Sequence, residues 1–225
     1  MKVFQIYFKE DQLSKLDYTP YYNNDCTPFF ENSVIRKLIE DKEHFGCDYF
    51  GVLSHKLKEK IYISKNSWRS ISNICNSSNQ QFSPELFESE LMRFKPDIMS
   101  YQRHPSHDNV SFADKFHPNF SKYFKEIMSR VGYNWTPTAF QNIIYCNFFV
   151  AKPEIYERYV TEMLGPAMDV MMEMPELFNN SHYPHQLPEE LQKKFNCTWY
   201  PYHSFLCERM VSYFIHIHNY NCIHF

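Results

Sequence analysis

Glycine is scarce in this sequence, because its 225 residues include four glycines, at positions 46, 51, 132 and 165. They form neither the G-x-G-x-x-G of dinucleotide-binding proteins nor the G-x-x-x-x-G-K-[ST] of P-loop NTPases. A dinucleotide-type Rossmann enzyme, a P-loop NTPase and a kinase with a glycine-rich loop are therefore disfavoured. If the protein binds phosphates, we expect side chains or a metal ion to hold them.

Long apolar runs, a secretory leader and paired cysteine spacings are also missing. No stretch is long enough to span a bilayer, and the opening segment turns charged after a short apolar run. The seven cysteines, an odd number without C-x-x-C spacing, are typical of reduced thiols, so we expect a cytoplasmic protein. The formal net charge of −3 gives no broad field that would attract nucleic acid or anionic lipid.

Aromatic and apolar residues are abundant, at 18% and 44% of the chain, so one sizeable core can form. Apolar stretches predict buried strands at residues 2–8, 48–54, 95–102 and 142–152. Amphipathic or capped stretches predict helices at residues 29–42, 82–94, 112–135, 153–164, 187–195 and 203–220. Strands that alternate with helices predict an α/β fold, an open sheet with helices on both faces, in a single domain of residues 1–225.

Three places in this pattern are predicted to be irregular. Residues 16–28 are rich in turn formers and predict a loop with stacked tyrosines. Residues 68–81 predict a weak helix that passes into a polar loop. The dipeptide Gly165-Pro166 predicts a kink or a split in the helix that begins at Pro153.

Several segments, taken in chain order, look familiar. They are "FFENSVI", "YFGVLSHK", "PDIMSYQ", "NFFVAKPEIYERY" and "FLCERMVSYF". In this order they resemble small GT-A-type glycosyltransferases of bacteria and phages, and the resemblance covers most of the chain. The last two carry it best, because capsule-type and related glycosyltransferases have similar "N-x-F-x-x-x-x-x-x-Y" and "GFLxER" segments. The composition, rich in Asn, Lys, Phe, Tyr and Ile, also looks like that of an AT-rich phage gene.

This resemblance implies a GT-A-like single domain with an open mixed sheet, in which about residues 1–115 bind the donor and about residues 116–225 bind the acceptor. It implies transfer of a sugar from a nucleotide-sugar donor, by preference a UDP-sugar, to a hydroxyl group. Two acceptors are expected equally, a hydroxymethylated or glycosylated pyrimidine in phage DNA and a bacterial surface glycan. A phage-encoded enzyme of this kind would work in the host cytoplasm.

One feature departs from the family pattern. GT-A enzymes usually carry Asp-x-Asp at the end of a central strand, where it holds Mn²⁺ or Mg²⁺ against the donor diphosphate. This sequence has no Asp-x-Asp, and Asp97 begins the corresponding strand instead of ending it. Degenerate metal binding and a metal-free site both stay open. The candidate metal ligands are His104, Asp108 and His203. Without a metal, Arg103 and Lys56 would neutralise the diphosphate, together with histidines.

The same resemblance places the base of the donor near the end of the first strand and in the following loop. Aromatic rings stack on a base, and amides bind its edges. The candidates for this role are Gln5, Tyr7, Tyr21, Tyr22, Asn23 and Asn24, with Lys56 and Arg103 nearer the phosphates. The candidates on the acceptor side are Asn147 and Arg209.

A charged pair, Glu208 and Arg209, stands in the opening of the last apolar and aromatic run. A buried carboxylate without a partner is costly, so either Arg209 is its partner or Glu208 faces a cavity that requires it. A charge near a helix start can also interact with the helix dipole. By resemblance, a carboxylate near the start of a late helix removes the proton of the acceptor hydroxyl. Glu208 is therefore the candidate general base for an inverting transfer.

Two other classes of function stay open. The missing Asp-x-Asp is compatible with a catalytically inactive GT-A-like binding module. The segment "HPSHD" brings His104, His107 and Asp108 close together in sequence, and these residue types would suit a zinc site in a metal hydrolase.

Overall fold

The computed structural model describes residues 1–24, 27–61, 83–102, 108–139, 142–144, 146–179 and 186–225. Its centre is a six-stranded sheet with the strand order β2-β1-β3-β5-β4-β6. The strands are β1 (Lys2–Tyr7), β2 (Thr19–Tyr22), β3 (Phe50–Ser54), β4 (Ile98–Ser100), β5 (Phe149–Ala151) and β6 (Cys222–His224).

The sheet is open and mixed. β1 pairs in parallel with both β2 and β3, and β4 pairs in parallel with β6. β5 lies between β3 and β4 and is antiparallel to both. The five other strands therefore run in one direction, which confirms the predicted α/β class with an open mixed sheet.

Nine α-helical segments with defined ends surround the sheet in the described ranges. They are α1 (Glu31–Glu40), α2 (Pro84–Phe94), α3 (Asn109–Ala113), α4 (Phe120–Arg130), α5 (Pro153–Arg158), α6 (Gly165–Met172), α7 (Glu176–Asn179), α8 (Glu189–Phe195) and α9 (Tyr202–His218). A 3₁₀ turn covers Glu10–Lys15, and residues 57–61 are also helical.

The predicted start of α2 is confirmed in atomic detail. The Ser83 hydroxyl accepts a hydrogen bond from the Leu86 amide at 3.1 Å, and Pro84 occupies the first helical position. This cap satisfies one of the amides that a helix start leaves without a partner, and proline has no amide hydrogen to lose there. The local sequence therefore fixes where this helix begins.

Alternation along the strands gives the sheet two apolar faces. Ile98 and Phe149 belong to the larger cluster, which α1, α4, α5, α6 and α9 cover. Met99 and Val150, one position further along, belong to the smaller cluster, which α2 and residues 57–61 cover. Successive side chains of a strand point to opposite faces, so both faces require helices. Within the described ranges, no helix is long and apolar enough to cross a membrane.

Three sequence-based predictions of local structure require correction or comment. The predicted loop at 16–28 contains β2, an edge strand beside β1, where Pro20 is tolerated because edge strands leave amides unpaired. The predicted strand at 142–152 forms as a strand over Phe149–Ala151, although Ile143 and Ile144 ahead of it are buried. The weak helix predicted at 68–81 lies outside the described residues.

The predicted split at Gly165-Pro166 takes the form of a π-helical segment. Residues Tyr159–Leu164 are π-helical, and the Gly165 amide donates to the Val160 carbonyl. Pro166 then lies in the first turn of α6, where its missing amide hydrogen leaves no bond unmade. The chain therefore stays helical from Pro153 to Met172, although its hydrogen-bond pattern changes.

Candidate functional site

The carboxyl ends of the parallel strands meet at one edge of the sheet, which we call the carboxyl edge. β1 ends there at Tyr7, β2 at Tyr22 and β3 at Ser54. Because β5 is antiparallel, its start at Phe149 lies at the same edge. In open α/β sheets, ligands bind at this edge.

The structure gives Glu208 a partner. Arg209 Nη1 donates to Glu208 Oε2 at 2.9 Å, and both side chains are mostly buried, at 17% and 18% exposure. The guanidinium also lies over the Phe120 ring, 5.8 Å from its centroid. Arg209 is therefore the counter-charge of Glu208, which answers the question that the sequence poses about this pair.

A second carboxylate, Glu31, belongs to the same group of charges and was missed by the sequence analysis. It is the first residue of α1. Burial raises its pKa and the charge of Glu208 raises it further, whereas Lys60, the Ser54 hydroxyl and Lys56 lower it. The net direction is upward. Although Glu31 is partly exposed, protein atoms surround its carboxylate closely enough for burial to dominate.

The backbone ahead of Glu31 is strained. Phe30 has φ 49° and ψ −114°, a region that a residue with a bulky side chain rarely adopts. The Phe30 ring lies 5.5 Å from the ring of Tyr200 and 6.4 Å from that of Phe195, centroid to centroid. Strain of this kind persists when surrounding contacts enforce it, and it is concentrated at functional sites.

Lys60 and Cys146 also belong to the charge cluster. Lys60 Nζ lies 3.1 Å from Cys146 Sγ, and it also lies over the Phe148 ring. Burial lowers the pKa of Lys60, but Cys146, Glu208 and Glu31 outweigh burial and raise it. Burial and the charge of Glu208 raise the pKa of the Cys146 thiol to about 12. The pair is therefore an ammonium beside a neutral thiol.

Two asparagines join the loop before β5 to the start of α1. Asn147 Nδ2 donates to Asn32 Oδ1 at 2.9 Å, and Asn32 Nδ2 donates to the Phe29 carbonyl at 3.2 Å. Asn147 is 3% exposed, and its Oδ1 atom has no hydrogen-bond partner among the described residues. The predicted acceptor ligand Asn147 is thus enclosed at this site, where one polar atom is left unsatisfied.

Gln5, predicted to bind the donor base, is instead a structural residue. Its side chain is fully buried and its Nε2 donates to the Ser54 carbonyl at 3.1 Å. Its Oε1 accepts from the amides of Asp17 and Tyr18, at 2.8 Å and 3.3 Å. The amide group is occupied on both sides, so it connects β1, the segment before β2 and the end of β3.

The tyrosines of the predicted base site separate onto the two faces of β2. The Tyr7 and Tyr22 rings lie 5.3 Å apart, and Tyr22 is 54% exposed. Tyr21 points the other way and packs edge-on against Phe4, with 6.1 Å between ring centroids. Tyr21 and Tyr22 are therefore on opposite faces and cannot enclose one base together.

The remaining residues that were predicted to bind the sugar donor, where the structure describes them, lie at the carboxyl edge. The Asn23 amide donates to the Tyr7 carbonyl at 2.8 Å, which continues the pairing of β1 and β2. Asn24 is exposed, and so is Lys56, two residues after β3. Arg103 lies outside the described residues.

The candidate metal ligands are not assembled by the residues that the structure describes. Asp108 Oδ1 caps α3 by accepting from the Val110 and Ser111 amides, each at 3.0 Å. His203 is fully buried, 5.2 Å from the Phe29 ring and 4.4 Å from the Phe178 ring.

Burial lowers the pKa of His203 to about 4, although the Met171 backbone opposes this. His104 and His107 lie outside the described residues. Within the described ranges, no group of three His, Cys, Asp or Glu side chains would hold a metal ion.

A separate cavity of about 520 Å³ opens beside the segment that precedes α1. Phe29, Met168 and Phe178 are among its walls, and Arg36 and Lys194 bring positive charge to it. Arg36 is bound by Asp169, with 2.6 Å between Nη1 and Oδ1. The cavity includes neither Glu31 nor Glu208, so it is not the charge cluster described above.

Four charged side chains and a neutral thiol therefore gather at the carboxyl edge: Glu31, Lys60, Glu208, Arg209 and Cys146, with the exposed Lys56 beside them. Such an arrangement can bind an anionic group through its cations and accept a proton on a carboxylate. Comparisons of the chain with protein-family models, with curated proteins and with solved structures found no match.

Proposed function

We propose that the protein is a GT-A-type glycosyltransferase, which transfers a sugar from a nucleotide-sugar donor, by preference a UDP-sugar, to a hydroxyl acceptor. One observation carries the proposal: the carboxylates Glu31 and Glu208 lie with Lys60 and Lys56 at the carboxyl edge of the parallel strands. The edge is where such sheets bind nucleotides. The exposed Tyr22 ring at the same edge supplies a surface on which a base can stack.

The chemistry requires two things that this cluster offers. The oxygen of the acceptor forms a bond to the anomeric carbon, the bond from that carbon to the diphosphate breaks, and its electron pair leaves with the diphosphate. Lys56 and Lys60 would stabilise the charge on the leaving group. The proton of the acceptor hydroxyl passes to a carboxylate of the Glu31 and Glu208 pair.

The Mn²⁺ or Mg²⁺ ion that the family resemblance implies is not needed for any of these steps. Of the predicted metal ligands that the structure describes, Asp108 caps a helix through Oδ1 and His203 is enclosed by aromatic rings. A metal site here would depend on His104. The proposal therefore assigns phosphate binding to lysines.

The acceptor remains a choice between a modified pyrimidine in phage DNA and a bacterial surface glycan, and either would place the enzyme in a bacterial cytoplasm. A different observation favours the inactive binding module: Glu208 already accepts a hydrogen bond from Arg209. A binding module would bind nucleotide without turnover.

The test is a thermal-shift panel of UDP, GDP, CMP and dTDP and their sugars, each with and without Mn²⁺. A ligand of the folded state raises the melting temperature by mass action, so we expect a rise with one nucleotide family. Hydrolysis of the bound nucleotide-sugar, or transfer from it to candidate acceptors, then separates an enzyme from a binding module. A flat panel at millimolar ligand would refute donor binding.

A matched pair of variants locates the binding surface. Lys56 and Lys58 are exposed residues of the same short segment, and Lys58 is paired with Asp17 at 2.7 Å. We expect Lys56→Ala to reduce the nucleotide-induced shift and Lys58→Ala to leave it unchanged. Equal effects of the two variants would contradict phosphate binding by the cluster.

A further inference from the structure

The two carboxylates of the cluster differ in their partners. Glu208 accepts a hydrogen bond from Arg209 at 2.9 Å. Glu31 forms no salt bridge with any residue that the structure describes, although Lys60 and Lys56 are near enough to influence it. Glu208 therefore has a cationic partner, whereas the enclosed carboxylate of Glu31 has no salt-bridge partner among the described residues.

We propose that Glu31, and not Glu208, is the proton acceptor of this site, and that the Glu208–Arg209 pair positions the acceptor and the cluster around it. The inference deepens the proposed function and rests on it. It moves the role of general base, which the family resemblance gives to Glu208, to Glu31.

The first argument is energetic. An enclosed carboxylate without a cation or a full set of hydrogen bonds costs stability. The strained backbone of Phe30, immediately before Glu31, costs stability as well. Two unfavourable features at adjacent positions are expected where function, and not stability, determines the structure.

The second argument concerns the reacting atoms. A general base loses its charge when it accepts a proton, so protonation of Glu208 would leave the mostly buried Arg209 without its counter-charge, which is costly. Protonation of Glu31 breaks no salt bridge with the described residues, although the Ser54 hydroxyl hydrogen-bonds to it, and burial makes it a stronger base than an ordinary glutamate. The acceptor hydroxyl would therefore transfer its proton to Glu31 as its oxygen attacks the anomeric carbon.

The charged and titratable groups around Glu31 come from three elements. Lys56 and Lys60 follow β3, Cys146 precedes β5, and α9 contributes Cys207, Glu208 and Arg209. Both cysteines are neutral, because burial raises their thiol pKa. The lysines favour the charged form of Glu31, while Glu208 and burial oppose it and outweigh the lysines.

The decisive comparison is between Glu31→Gln and Glu208→Gln. Glu40→Gln is the matched control, because Glu40 is the last residue of α1 and is exposed and paired with Arg36 at 2.9 Å. General-base loss typically lowers rate by about 10²–10⁴-fold. We expect Glu31→Gln to lower kcat by at least about 100-fold with the nucleotide-induced thermal shift unchanged. We expect Glu208→Gln to act mainly on KM for the acceptor, and Glu40→Gln to leave both constants unchanged.

A pH profile adds a readout that a structural role would not change. In the wild type, kcat/KM should rise with pH through the raised pKa of Glu31, and this limb should disappear in Glu31→Gln but persist in Glu208→Gln. The assignment is wrong if Glu31→Gln keeps kcat within a few-fold of the wild type, or if Glu208→Gln abolishes the limb instead.

A titration of the side-chain carboxyl ¹³C signals requires no substrate. The signal that is missing from Glu31→Gln should titrate above the usual glutamate pKa of about 4.3 in the wild type. If that signal titrates at the usual glutamate pKa, the inference is wrong even if the enzyme binds nucleotide. If no nucleotide binds, the proposed function fails and the catalytic role of Glu31 fails with it. If nucleotide binds and Glu31→Gln still turns over, the assignment alone fails.

Discussion

The two edges of the sheet differ in one carboxylate, because the carboxyl edge has the salt bridge of Glu208 with Arg209 but leaves Glu31 outside any such pair in the part of the chain that the structure describes. At the amino edge, where β1 and β4 begin, charged side chains are paired: Lys2 with Glu43 at 2.6 Å, and Lys152 with Asp97 at 2.8 Å. At the carboxyl edge, Glu31 forms no salt bridge with the described residues. The first arrangement stabilises the fold, whereas the second keeps a carboxylate basic and is expected at a functional site.

Asp97 and Glu31 show what causes the difference. Burial acts to raise the pKa of Asp97, but hydrogen bonds from Lys152 and from the Asn221 amide outweigh burial and lower it. Burial also raises the pKa of Glu31, and the nearby cations do not compensate. Burial is the largest single cause for both carboxylates, and Asp97 shifts the other way because it is the less enclosed of the two and its hydrogen bonds together outweigh burial.

The largest expected effect comes from removing the central carboxylate of the amino edge. Asp97→Ala removes the salt bridge to Lys152 and the acceptor of the Asn221 amide, a 3.0 Å hydrogen bond. We expect the free energy of unfolding to fall by about 2 kcal/mol, as is usual for lost hydrogen bonds to a charged group. Urea denaturation measures it.

Asp48→Ala is the control for this variant. Asp48 is an exposed aspartate two residues before β3, near the same edge. An exposed substitution of this kind usually changes stability by less than about 0.5 kcal/mol. If Asp48→Ala destabilises the protein as much as Asp97→Ala does, the pairing at the amino edge is not what stabilises it.

The amino edge and the sheet were largely predictable from the sequence. β1, β3 and β4 follow from apolar runs, and α2 from the cap at Ser83. β2 was missed because four residues that include Pro20 and two tyrosines have the composition of a loop, and the strand forms only by pairing with β1.

The carboxyl edge was predicted less well, for a physical reason. Glu31 in the first turn of α1 has the ordinary appearance of an acidic residue that interacts with the helix dipole. Gln5 in an apolar strand can be either a ligand amide or a buried structural amide, and the structure shows the second. In both cases the role depends on which side chains a distant segment brings close, which local sequence does not specify.

A smaller effect, of opposite sign at the two edges, is expected in the pH dependence of stability. The folded state raises the pKa of Glu31, so its ionisation destabilises the fold. Glu31→Gln should therefore stabilise the protein by about 1 kcal/mol above the raised pKa, and this gain should vanish below the unfolded pKa of about 4.3. Glu208 remains as a counter-charge for Lys60 in this variant.

Asp97→Asn is the matching variant at the amino edge. The folded state lowers the pKa of Asp97, so its contribution is fully present above the unfolded pKa of about 3.9 and is lost as pH falls through the folded pKa. Asp97→Asn should thus destabilise the protein at neutral pH and have less effect in acid. Urea unfolding across pH measures both variants, and differences of the same sign would contradict the comparison.

The smallest effect is expected from the shortest of the salt bridges at the amino edge. Lys2 Nζ and Glu43 Oε2 lie 2.6 Å apart, but their side chains are 37% and 42% exposed. Water screens such a pair, and ordering two long side chains costs entropy, so exposed pairs usually contribute about 0.2–1 kcal/mol. A double-mutant cycle with Lys2→Ala and Glu43→Ala should give a coupling energy of about 0.5 kcal/mol or less, and high salt should reduce it further. A coupling as large as the loss in Asp97→Ala would mean that distance, and not the number of hydrogen bonds to a partly enclosed carboxylate, determines how the amino edge is stabilised.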